Sequence, residues 1–76
     1  MTHDDINAAI AYGRAVAKRY SGAYGGCMDV YVGQSGRAFT AFPMRAVAAA
    51  RGLGDGALCM VRISDGVVLA QKAVHP

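Results

Sequence analysis

The sequence predicts an α+β domain in which a helix, a hairpin, a second helix and a second hairpin follow one another. That order folds most simply into a four-stranded, mainly antiparallel sheet with two helices on one face. Three observations lead there. Apolar residues recur at helical spacing from Ile6 to Tyr20. Two pairs of alternating segments, 27–33 with 37–42 and 57–63 with 67–74, are each joined by a glycine-containing turn. Between the pairs, Pro43 and Gly52 bracket a short Ala-rich stretch as a helix start and stop.

The first helix opens at Thr2, an N-cap residue with Asp5 three positions on. Asp4 and Asp5 complement the positive helix end, and Lys18 and Arg19 the negative one. Ile6, Ala9, Ile10, Gly13, Val16, Ala17 and Tyr20 form one apolar stripe. Gly13 on that stripe costs about 1 kcal/mol against alanine, so a strand is expected to pass close to it. The opposite side carries Asn7, Ala11, Arg14 and Lys18, and Gly22 is expected to stop the helix before a loop over 21–26.

In the first hairpin Met28, Val30 and Val32 share one face. A turn at 33–36 pairs Val32 with Arg37, which sets Phe39 and Ala41 on that same face and Asp29, Tyr31 and Thr40 on the reverse. The second helix runs over 43–51, with Met44, Val47 and Ala48 apolar and Leu53 folding back after Gly52. Asp65-Gly66 reads as a two-residue hairpin turn pairing Ser64 with Val67. That register gives a core face of Ala57, Cys59, Val61, Ile63, Val68, Ala70 and Val74. Leu58, Met60, Arg62, Leu69 and Gln71 then occupy the other face.

A chain of 76 residues forms a single domain over 1–76. At this size only about 60% of the unfolded surface is buried, and stability is on the order of 5 kcal/mol. The composition is 54% hydrophobic, but much of it is alanine, which buries little area. A monomer or a small homo-oligomer is expected. There is no apolar run of membrane-spanning length and no cationic, apolar leader at the N-terminus, so the expected location is the cytoplasm.

The charge pattern is asymmetric. All five acids are aspartates, and they sit mostly in a helix start or in turns, whereas eight Lys and Arg give a formal charge of +3. With a pI of about 9.2, the chain is suited to an anionic partner. The glycines at 52, 54 and 56 follow a helix and precede a strand, the reverse of a phosphate-binding loop. His3 and His75 lie at opposite ends, with no metal-ligand spacing around them. Cys27 and Cys59 match no zinc or redox spacing and are expected to be free. No cofactor, no metal and no catalysis are expected.

Two sets of residues are candidates for partner binding. Arg14 and Lys18 stand four apart on the outer helix face, with Arg19 beside them near Tyr12. They form either a solvated face or a docking stripe for phosphates or an acidic protein surface. Tyr31, Met60, Arg62 and Leu69 project from the sheet face away from the helices. Aromatic, Met and Arg side chains are enriched at interfaces, but the second helix is an alternative cover for that face.

Over its whole length the chain resembles the small phage-encoded anti-CRISPR proteins that inhibit type I surveillance complexes, a resemblance carried by the compact helix–hairpin–helix–hairpin plan and the lack of catalytic residues. The closest part is the Ala-rich stretch Ala46 to Arg51, followed by Leu58-Cys59-Met60-Val61-Arg62-Ile63 and, through Asp65-Gly66, by Val67-Val68-Leu69-Ala70-Gln71-Lys72. The Ala, Arg and Gly bias fits a GC-rich host and is most similar to inhibitors of type I-C systems. The resemblance implies a non-enzymatic, stoichiometric inhibitor in the bacterial host cytoplasm. It would bind Cas protein subunits of the type I Cascade complex and block target DNA binding, with at most weak nucleic-acid contact. It assigns no role to any single residue. The alternative from another class is a small basic nucleic-acid-binding regulatory protein.

Overall fold

The computed structural model describes residues 3–24, 28–45, 52–53 and 56–73. One helix, α1 (His3–Tyr24), is followed by strands β1 (Met28–Ser35), β2 (Ala38–Arg45), β3 (Ala57–Arg62) and β4 (Val68–Gln71). The strands form one antiparallel sheet in the order β2-β1-β3-β4. The expected helix–hairpin–helix–hairpin plan, with two helices on one face, is therefore corrected. The described residues contain a single helix against a four-stranded sheet. Pro43, Met44 and Arg45 belong to β2, opposite Val30, Asp29 and Met28, and positions 46–51 lie outside the described residues.

Pro43 misleads because two environments tolerate its missing N–H. One is the first turn of a helix, the other an edge strand. Hydrogen-bonded pairs fall at every second position from a two-residue turn. Counting from the Ser35–Ala38 pair, Pro43 occupies a non-bonded position with its nitrogen on the free edge, where no ladder bond is lost.

The helix stripe packs as the periodicity requires. Ala9, Val16 and Ala17 are buried against Val30, Val32, Cys59, Val61 and Ile63, and Ile6 on the same stripe is buried as well. Ala9, Gly13 and Ala17, spaced by four, let the helix sit close to the sheet. A Cβ at Gly13 would lie 2.8 Å from Val32 Cγ2 and 3.0 Å from Val61 Cγ2. The helix does not stop at Gly22 but continues to Tyr24, so positions 21–24 are not loop. Thr2 and Gly25–Cys27 lie outside the described residues.

The first hairpin keeps its expected faces with a different register. Val32 pairs with Ala41 rather than Arg37, and the turn is Gly36-Arg37. Gly36 takes φ +62° in the first loop position, where a two-residue hairpin turn favours glycine. The displacement is an even number of residues, so Phe39 and Ala41 still face the helix side.

Two bulges overturn the simple alternation of the second hairpin. The β1–β3 register shifts after Val32 paired with Cys59, so that Gly33 meets Ala57 and Leu58 is the extra residue. Leu58 therefore joins the main core, and Ala57 packs on the reverse face with Tyr31 and Met60. The β3–β4 register also shifts, between Met60 paired with Ala70 and Val61 paired with Val68. Ala70 is carried to the reverse face while Val68 stays with the main core. One extra residue inverts every side chain beyond it. The two-residue turn at Asp65-Gly66 is likewise replaced by a four-residue loop, with Arg62 N donating to Val67 O at 2.9 Å.

Candidate docking surface

The helix extension changes the meaning of the cations on α1. With α1 reaching Tyr24, its last turn holds no basic residue. Lys18 and Arg19 therefore do not complement the helix dipole, an effect confined to the terminal turn. Arg14, Lys18 and Arg19 are all exposed. Arg14 and Lys18, four apart, repel each other by about 0.2–0.5 kcal/mol. Among the described residues the one ion pair is Arg62–Asp65, so these three cations have no carboxylate partner there.

Arg14 is held by the sheet. Its Nε donates to the Gly66 carbonyl at 3.1 Å, tying α1 to the β3–β4 loop. Gly66 adopts φ +73°, a left-handed conformation that side chains resist, and its own N–H donates to Arg62 O at 2.8 Å. Between helix and loop lies an open groove of about 530 Å³, lined by Arg14, Ala17, Lys18 and Ser21 on one side and by residues 63–67 on the other. Arg19 is exposed outside it.

Asp65 is the acid in the groove wall, and its charge is already engaged. Arg62 Nε donates to Oδ1 at 2.9 Å and Nη2 to Oδ2 at 2.8 Å, and Val67 N donates to Oδ1 at 3.1 Å. The Arg62 hydrogen bonds, then that from Val67, hold the carboxyl below the usual range. Arg62 was expected as a free interface cation. It is instead a bidentate partner of Asp65, a geometry guanidinium favours.

The reverse sheet face is not open at its centre. Tyr31 and Met60 are only 8% and 6% exposed. Tyr31 OH donates to Gly52 O at 2.6 Å, and Leu53, Met44, Ala57 and Ala70 pack around the pair. Tyr31 and Met60 are thus covered by the chain itself, in place of the expected exposure. Leu69 is 39% exposed, at the bulge of edge strand β4. The structure brings Arg14 and Lys18 together at the groove and Arg62 to the same loop. It does not gather Tyr31, Met60 and Leu69 into one exposed patch.

Sequence reasoning missed Phe42 and Val67, both substantially exposed. Phe42 lies directly across from Tyr31 in the β1–β2 register, with ring centroids 6.2 Å apart. Its signal in the sequence is alternation, since Phe42 stands two residues beyond Thr40 and so shares the reverse face. Val67 and Ser64 enter the groove only through tertiary packing, which no local pattern encodes. Asp29 is buried on the reverse face opposite Arg62. Burial raises its carboxyl pKa, and the Arg62 charge opposes that rise. Cys59 is fully buried at the centre of the sheet, and burial pushes its thiol up to about 11. Such a thiol behaves as a small apolar filler.

Compared with protein-family models, curated proteins and solved structures, the chain matches none. No helix among the described residues is long and apolar enough to cross a membrane.

Proposed function

We propose that this chain is a non-enzymatic inhibitor that docks on Cas protein subunits of a type I CRISPR surveillance complex and blocks target DNA binding. Docking uses the outer face of α1 and the adjoining β3–β4 loop. The observation that carries the reading is the set Arg14, Lys18 and Arg19, exposed on α1 with neither a carboxylate partner among the described residues nor a place in the last helical turn. Exposed cations without a carboxylate partner among the described residues are suited to an anionic counter-surface. The partner's identity comes from the sequence resemblance to anti-CRISPR inhibitors alone, and the fold does not keep the helix–hairpin–helix–hairpin plan on which that resemblance rested; the setting proposed with it is the cytoplasm of the bacterial host.

Two assays on the purified chain separate this reading from that of a nucleic-acid-binding regulator. Co-purification with tagged Cas subunits of a type I-C complex is expected to succeed. Short duplex and single-stranded DNA at low salt are expected to show no mobility shift. A DNA shift without capture by Cas subunits refutes the inhibitor and supports the regulator.

A further inference from the structure

We infer that the groove between α1 and the β3–β4 loop takes an acidic peptide segment of a partner protein, seating one carboxylate side chain between Arg14 and Lys18. The inference rests on the docking role proposed above and names the chemistry of what α1 grips. Neighbouring positions four apart on a helix have Cβ atoms about 5–6 Å apart, so two such cations straddle one carboxylate. Arg14 is already fixed by its bond to Gly66 O, which lowers the entropy lost on binding. Asp65 does not quench the pair, because both its oxygens accept from Arg62 and Val67. The groove volume of about 530 Å³ suits a few side chains.

The rest of the lining favours peptide over nucleic acid. Ala17 and Ile63 are buried in the groove wall, and Val67 is 44% exposed at the loop. They offer an apolar contact to the aliphatic part of a neighbouring side chain. No aromatic ring is among the described residues lining the groove, so it has no platform for base stacking. A nucleic-acid backbone presents a dense row of charges. The groove offers only two cations to such a row.

The test is a titration of the isotope-labelled full chain, followed by amide chemical shifts. The probe is a blocked hexapeptide of alternating Glu and Leu at low salt, with a Gln-for-Glu peptide and a short DNA duplex as comparisons. Expected are shifts centred on Lys18, Ser21, Gly66 and Val67 with the Glu peptide alone. The Arg14→Gln/Lys18→Gln variant is expected to weaken the effect by at least about ten-fold. Val67→Glu, which keeps both cations but adds a repelling carboxylate, is expected to do the same. Absence of groove shifts with the Glu peptide, or shifts with DNA in its place, overturns the inference. Capture of Cas subunits by the Arg14→Gln/Lys18→Gln variant at full strength also overturns it, and shows an inhibitor that docks without these two cations. Groove shifts in a chain that captures no Cas subunit support the groove and sink the inhibitor.

Discussion

Replacing Gly13 with alanine is expected to destabilise the protein, although alanine is the better helix former. Intrinsic propensity favours the substitution by about 1 kcal/mol. The added Cβ would lie 2.8 Å from Val32 Cγ2 and 3.0 Å from Val61 Cγ2, well inside the roughly 3.5–4.0 Å at which carbon contacts become attractive. Both valines are fully buried in the two central strands. Their β-branched side chains have few alternative rotamers, so α1 must lift from the sheet. Overpacking of this kind costs about 1–3 kcal/mol, and with both central strands involved the upper part of that range applies. The net loss is about 1–2 kcal/mol, or roughly 5–15 °C in Tm for a domain of this size. Urea unfolding followed by circular dichroism reads it as a lower midpoint at unchanged slope. Combining Gly13→Ala with Val32→Ala, which removes one of the clashing methyl groups, is expected to cost less than the sum of the single variants. A Gly13→Ala protein more stable than the parent would refute the close seating of α1.

Other consequences follow from the same geometry. Tyr31→Phe deletes the hydrogen bond to Gly52 O and is expected to lower stability by about 1 kcal/mol while leaving partner binding unchanged. Weakened binding at unchanged stability would return Tyr31 to the interface. Asp29 has a raised folded-state pKa, so its contribution is complete below the unfolded pKa and declines as pH rises through the folded value. Asp29→Asn is therefore expected to match the parent in Tm near pH 3 and exceed it at pH 7, and equal Tm values at both would contradict the desolvation argument. Cys59, buried and with its thiol pushed up to about 11, is expected to resist an aromatic disulfide reagent in a Cys27→Ser background until urea unfolds the chain. Rapid labelling of the native protein would place Cys59 outside the core.

Much of the fold was legible wherever a pattern is local. The stripe from Ile6 to Tyr20 gave α1 and its buried face, and Gly13 marked the close approach of the sheet. Alternation gave the strands and, in the first hairpin, the correct faces despite a misplaced turn, because the register error was even. The second hairpin failed for a definite reason. Leu58 and Leu69 are extra residues in bulged ladders, and bulges answer to tertiary fit rather than to propensity. Pro43 failed because the same missing N–H suits a helix start and an edge strand alike. At the candidate site, the spacing of Arg14 and Lys18 marked the cationic face, but the loop that fixes Arg14 lies 52 residues away. The pairing of Arg62 with Asp65 was within reach of the sequence, since they stand three positions apart. The reading of Asp65-Gly66 as a plain two-residue turn hid it.

The central claim is that α1 docks on an anionic protein surface through uncompensated cations. It is tested most directly by titrating the chain onto an immobilised type I complex at about 50 mM and about 500 mM salt, beside an Arg14→Gln/Lys18→Gln/Arg19→Gln variant. Salt at the higher level shortens the screening length several-fold. The wild-type Kd is expected to rise at least about ten-fold with salt, and the variant to bind weakly at both levels. Equal, salt-independent affinity for the two proteins would contradict the claim.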